Sequence, residues 1–509
     1  MLQGRLILTT ITAVLVGVAF ALGVLFGPAV RPMAGEAGTS PSALPSTGVA
    51  ETPAPVDYVG ALSLEPTKGA IGSSVTVTGA GFDADADLEL GWQAFSGTWL
   101  ADDSPENFHG REYRQELVPL ASVRTDASGA FSTSFVVPDG FGFGHDVRVL
   151  QDGIVRNQAS FEVEMRVSIS PKSGPLGTPI TVEVEGIGVS PLHSSWELTY
   201  DNNFTGWISS VTTNGRARFT IPATGAPGPH VLKVLHGSFT FPYLNMQQSP
   251  DPDRPTFTEI FTVTEGDPVL PPPVSEQQPA TVAGEEPAGG DGPAAWTDPA
   301  VGPIGLTSTL YGRDLPSDTE LSIYWQTQVG VDTQMIGGSG EARPDAAWEL
   351  GTARTDASGS LAWEFTVPED KGGDHVIELR DGEAVVASTT FRARPTPQPL
   401  SATSGPAGTE VTINLKGVDD TDTGKIYMLV YDNAMLGYAC SVTSQGDITI
   451  FLPAAGEPGW HFIDLYPGIY KGEDLKGVYN FRIPQLTYAD DHPGEEDLRA
   501  IRFAFEITD

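Results

Sequence analysis

Two long stretches of this 509-residue chain are copies of one another, and that duplication decides most of its architecture. Pro66-Thr-Lys-Gly69-Ala-Ile-Gly72, running on to Trp92, aligns without a gap with Pro299-Ala-Val-Gly302-Pro-Ile-Gly305, running on to Trp325, at an offset of 233 residues. Thr125-Asp-Ala-Ser-Gly129 recurs as Thr355-Asp-Ala-Ser-Gly359 at 230, and Ser173-Gly-Pro-Leu-Gly-Thr178 as Ser404-Gly-Pro-Ala-Gly-Thr409 at 231. Tyr200-Asp201-Asn202 with Gly206 recurs as Tyr431-Asp432-Asn433 with Gly437, again at 231. One block of two units was therefore copied whole. The chain reads as unit A (57–165), unit B (166–265), a linker (266–297), unit A′ (298–395) and unit B′ (396–509).

Each unit opens with Pro or Ser before Gly-x-x-Gly and then alternates apolar and polar residues, as in Ser74-Val75-Thr76-Val77-Thr78. Each later carries a Gly-x-His or Gly-His step into another alternating run, at His145, His230, His375 and His461. Period-two alternation between closely spaced turn signals describes antiparallel strands. Units of about 100 residues with about seven strands are the size of a β-sandwich. With Gly (58) and Pro (42) frequent, the expectation is all-β, four sandwiches in tandem.

The openings at 65–82 and 170–182 resemble the start of IPT/TIG-type immunoglobulin-like domains, and the Thr-Asp-Ala-Ser-Gly and Gly-His-x-Val signals look like those of bacterial or archaeal surface members of that group. The resemblance implies early-set Ig-like sandwiches strung together on an exported protein, and no particular activity. Unit B′ departs from the pattern: residues 465–500 make it about 13 residues longer than unit B.

Leu6 to Val30 carries no charge, and a bilayer core is spanned by about 20 apolar residues in a helix. The expectation is one transmembrane helix within 1–31, with the membrane as partner through residues 6–30. A cleaved signal peptide, with Leu6–Val18 as its apolar region and Ala19-Phe20-Ala21 as its site, is the rival. Arg5 and Arg31 flank the run, and the positive-inside rule puts the short N-terminus in the cytoplasm and 32–509 outside. With cleavage the chain is secreted. Residues 32–56, rich in Pro, Ala, Ser and Thr, read as a tether, and the acidic, proline-bearing linker 266–297 as a second, extended one.

The formal charge of −37 excludes a nucleic-acid binder, which needs a basic surface. Unit B is nearly neutral, at −2 against −11, −9 and −10 for A, A′ and B′, so it can pack against a neighbour. A single cysteine, Cys440, rules out an internal disulfide framework. No H-E-x-x-H, G-x-S-x-G, phosphate loop or Cys–His pairing occurs, no cofactor is expected, and the reading is non-enzymatic. The four repeated histidines are expected to bond backbone carbonyls at sandwich corners. Asp83, Asp85 and Asp87 have the opening spacing of an EF-hand loop, but Leu88 and Ala94 replace the required Gly and Glu, so they are weak metal candidates in what reads as a solvated turn.

Trp92 and Trp325 read as core. Tyr200 with Trp207, and Tyr431 with Tyr438, flank Asp-Asn turns and are candidates for ligand contact, a carbohydrate above all; hairpin rings covering a sheet edge are the plainer reading. The tyrosines of the B′ insertion (Tyr466, Tyr470, Tyr479, Tyr488) exceed what the scaffold needs and are candidates for partner contact. The functional expectation is a structural stalk or adhesion protein of the cell envelope, meeting an envelope protein or glycan; the alternative is an extracellular carbohydrate-binding module.

Overall fold

The computed structural model describes residues 58–101, 108–190, 193–237, 241–249, 254–290, 292–329, 344–421, 424–441, 445–469, 484–492 and 498–509. Among these it is all-β, four times over. In unit A a three-stranded sheet runs Ala61–Glu65, Ser74–Ala80, Phe131–Val136. A five-stranded sheet runs Lys68–Gly69, Ile154–Val163, Phe143–Gln151, Asp87–Ala101, Phe108–Arg124. Units B, A′ and B′ repeat this three-plus-five pairing in the same order. All neighbours are antiparallel except the short strand after the opening Pro, which pairs in parallel with the last strand, as Lys68 does with Glu162.

The alternation puts one face of each sheet inward. Val75 and Val77 from the smaller sheet of A meet Leu88, Leu90, Trp92, Val147 and Val149 from the larger, a two-layer sandwich. Trp92 and Trp325 are buried core residues. The Gly-x-x-Gly opening is a tight turn: Gly72, Gly177, Gly305 and Gly408 all have φ between 77 and 90°, a region open to glycine at no steric cost. A Cβ on Gly174, in the first glycine's place, would lie 2.4 Å from Thr178 Oγ1, whose hydroxyl donates to the Pro175 carbonyl.

The linker departs from expectation. Ala294–Asp298 is already the first strand of A′, although it falls almost wholly within 266–297. The preceding residues are pinned, with Val269 N donating to Leu176 O, Gln277 exchanging two bonds with the Arg502 backbone, and Gln278 Nε2 donating to Pro397 O. Carboxamides here satisfy backbone groups at the margin of B′, which the run's proline and acid content does not reveal. Residues 6–30 lie outside the described residues, as does the tether 32–56; among the described ones no helix is long and apolar enough to cross a membrane.

Candidate functional site

Each unit holds one aromatic ring stacked on its repeated histidine: Trp92 on His145 at 4.6 Å, Tyr200 on His230 at 5.5 Å, Trp325 on His375 at 4.4 Å and Tyr431 on His461 at 5.5 Å between centroids. In A and A′ both imidazole nitrogens face carbonyls, of Gln93 and Phe141, and of Gln326 and Lys371. In B and B′ one nitrogen faces a carbonyl and the other a carboxylate, His230 to Asp201 and His461 to Asp432, at 2.5 and 2.6 Å. Sequence reasoning found the carbonyl bond and missed the carboxylate. The signal was there, since aspartate and histidine are 29 residues apart in both copies. Burial depresses the His145 imidazole, whereas the Asp432 carboxylate raises that of His461.

Asp201-Asn202 and Asp432-Asn433 are tips of two-residue hairpins, all four residues at φ between 47 and 66°, as a type I′ turn requires. Tyr200 is buried, and its hydroxyl donates to Thr224 O; Tyr431 OH donates to Ala455 O. Burial is the main cause that pushes both phenols up to about 12. These rings brace hairpins. Tyr438 is 51% exposed, whereas Trp207 is buried.

Trp207 is buried where the two halves of the chain meet. Residues 484–492 of the B′ insertion run beside the edge strand Asn203–Ile208 of unit B and form a clasp. Trp207 N donates to Pro484 O, and Leu486 N donates to Trp207 O, the pattern of strand addition to a sheet edge. Gly206 allows this approach: a Cβ there would lie 2.7 Å from Pro484 O and 2.8 Å from the Leu486 side chain. Trp99 from the long hairpin of A, Trp207 and Val211 from B, and Ile469, Tyr488 and Leu498 from B′ close an apolar cluster. At its rim the buried Asp491 carboxylate accepts from Trp99 Nε1, Val211 N, Thr212 N and Thr212 Oγ1, at 2.8 to 2.9 Å.

A second contact lies alongside. Ile426, Met428, Val430 and Tyr466 of B′ join the core of unit B itself. Thr205 Oγ1 donates to Asn433 O, while Asn433 Nδ2 donates to Pro222 O and Thr224 Oγ1. Arg502 reaches the Thr220 carbonyl and hydroxyl. Nearly neutral unit B does pack against a neighbour, and the neighbour is its own copy. Of the insertion tyrosines, Tyr466 and Tyr488 are buried in these contacts, which removes their rings from the outer surface; Tyr470 and Tyr479 lie outside the described residues.

The acidic turn is drawn apart. Asp83 accepts from Gln151, Asp87 pairs with Arg124, and Asp85 sits at φ 52°. Among the described residues no group of three or more His, Cys, Asp or Glu could hold a metal ion.

One partly buried feature escaped the sequence reading. On the outer face of the smaller sheet of A′, Trp296 and Tyr311 are a cross-strand pair with centroids 5.4 Å apart and planes 16° apart. The matching positions in A are Ser63 and Thr78, a hydroxyl pair bonded at 2.7 Å. Comparing the two copies position by position would have found it.

No protein-family profile matches the sequence, and no curated protein matches it. Among solved structures, the tetra-tandem repeat in the extending region of a large adhesion protein is 12% identical, with 88% of this chain and 100% of that chain covered and a TM-score of 0.17. A Corynebacterium diphtheriae protein described as membrane anchored is 10% identical over 88% of this chain and 92% of that one, at 0.17. Salmonella alpha-2-macroglobulin is 8% identical over 89% of this chain, at 0.18, and this chain spans 31% of its length. At such scores these likenesses transfer no activity and no ligand.

Proposed function

We propose that this chain is a non-enzymatic, membrane-anchored, extracytoplasmic protein whose four Ig-like sandwiches of IPT/TIG type form a structural or adhesive element of the cell envelope. The observation that carries this reading is the clasp. The described part of the insertion, residues 484–492, fastens the second half of the chain to the first. A block that spends its extra sequence on internal fastening makes a rigid body. Such a body is suited to holding a surface at a distance from the bilayer, and residues 6–30 supply the anchor. The −37 charge keeps it soluble and disfavours adhesion to anionic lipid.

Protease shaving of whole cells, with the membrane fraction probed for residues 1–30, tests the placement. Loss of 58–509 from intact cells with 1–30 retained in the membrane supports it. A protected Asp509 in unbroken cells refutes it.

A carbohydrate-binding module is the second reading, and the Trp296–Tyr311 pair favours it. The other copy carries Ser63 and Thr78 at those positions, so the sandwich does not require two rings there, and the uncovered part of such a partly buried pair offers apolar area to the face of a sugar. Binding on a glycan array that is lost in Trp296→Ala and Tyr311→Ala supports this reading; no binding by the intact chain removes it.

A further inference from the structure

Glu197 lies on the strand Trp196–Tyr200, fully buried, and neither of its carboxyl oxygens has a hydrogen-bond partner. Its cross-strand neighbours are Leu235 on one side and Trp207 on the other, and Trp207 is in turn bridged to Gln485 of the clasp. Glu197, Trp207 and the clasp are thus consecutive across one sheet. Gly237 leaves it room, for a Cβ there would lie 2.2 Å from Glu197 Oε1.

The fold does not need this carboxyl. At the repeat offset of 231 the matching residue of B′ is Met428, equally buried. An apolar side chain fills the position in one copy, and an unsatisfied acid in the other.

We propose that Glu197 makes the clasp a pH-dependent closure, shut while the carboxyl is neutral and opened by its ionisation. Burying a carboxylate without a partner is strongly unfavourable, so the closed state keeps the proton. Burial is the single cause that raises this group well above its ordinary 4.5. The charged or titratable groups on the surrounding elements are Lys233, His236 and Arg254 of unit B, Arg111 and Tyr113 on the hairpin of A, and Tyr488, Asp491 and His492 on the clasp; none bonds to Glu197. Opening the clasp uncovers Trp207 and lets water reach the carboxyl, which then releases its proton. A group whose folded value is raised in this way stabilises the closed state fully in acid and loses that contribution as pH rises.

Amide hydrogen exchange of the full chain tests this at Trp207 and Leu486, whose N–H groups hold the clasp strand. After correction for intrinsic rates, their protection factors are expected to fall as pH rises above the ordinary 4.5 of the carboxyl, by up to about tenfold per pH unit, the dependence of an opening that releases one proton. Glu197→Gln is expected to flatten the profile and to raise protection at pH 7. Glu197→Met, the residue its copy carries, is expected to do the same and covers the case in which the Gln variant fails to fold. A wild-type slope retained in either variant, or wild-type protection that does not change with pH, overturns the proposal.

Discussion

At the scale of single residues, Asp491 is the most demanding contact between the halves. Its buried carboxylate answers four donors, and removing it takes the acceptor from Trp99 Nε1, from the N–H of exposed Thr212 and from the N–H of Val211, which is left as a buried orphan. Such an orphan costs about 1–3 kcal/mol. Asp491→Ala is therefore expected to lower stability by at least about 2 kcal/mol in denaturant unfolding, and to shift the emission of Trp99 towards that of a solvated indole. His461 makes a prediction of opposite character. Its hydrogen bond to Asp432 raises it above its ordinary 6.5, so the folded state binds the proton more tightly than the unfolded one. The stabilisation is complete below 6.5 and disappears as pH rises through the elevated folded value. His461→Asn is expected to reduce the thermal midpoint at pH 6 more than at pH 8; an equal loss at both would show that the ring's charge contributes nothing.

At the scale of elements, strand alternation, the turns and the core tryptophans were legible in the sequence because each is a local pattern. Tyr-Asp-Asn announced a turn. It did not announce that the turn of B′ would dock on B while its twin stays a plain hairpin tip, because the two copies share the letters and differ only in what lies opposite. Asn433 separates the two roles. Asn433→Gly keeps the positive φ and removes the bonds to Pro222 O and Thr224 Oγ1. The hairpin is expected to survive, with about 1–2 kcal/mol lost from the contact between halves, read as a lower denaturant midpoint with unchanged circular dichroism. Of the candidate ligand rings, Tyr200 and Trp207 are buried and Tyr438 is exposed, a difference that the shared turn letters do not reveal. An aromatic beside a turn can brace the hairpin or face solvent, and only the partner atoms decide. Trp363 shows the same dependence on neighbours: it lies 3.0 Å from where a Cβ on Gly351 would be, whereas unit A carries Thr133 and Ala121 at these two places.

At the scale of the molecule, the duplication could be read outright, but the association of its halves could not. A repeat offset treats the copies as equivalents, whereas packing one against the other makes them different. The hints were the excess length of B′ and the near-neutral charge of unit B, and neither named the partner. Residues 58–509 fall within one compact unit, so cutting the linker is not expected to separate the halves. A chain cleaved between Glu265 and Ala294 should elute as one particle in native gel filtration and as two fragments under denaturing conditions. Two native peaks would show that the covalent connection, and not the clasp, holds the halves together.

The placement of the clasp has a further consequence. The rim strand of a sheet presents a row of amides and carbonyls on which another molecule of the same kind can build, and such additions repeat without limit into fibres. Here the strand Asn203–Ile208 is such a rim, and the chain's own Pro484–Leu486 already occupies it. This inserted segment of B′ thereby acts as a stopper against runaway polymerisation, a hazard that grows with every sandwich added in a row.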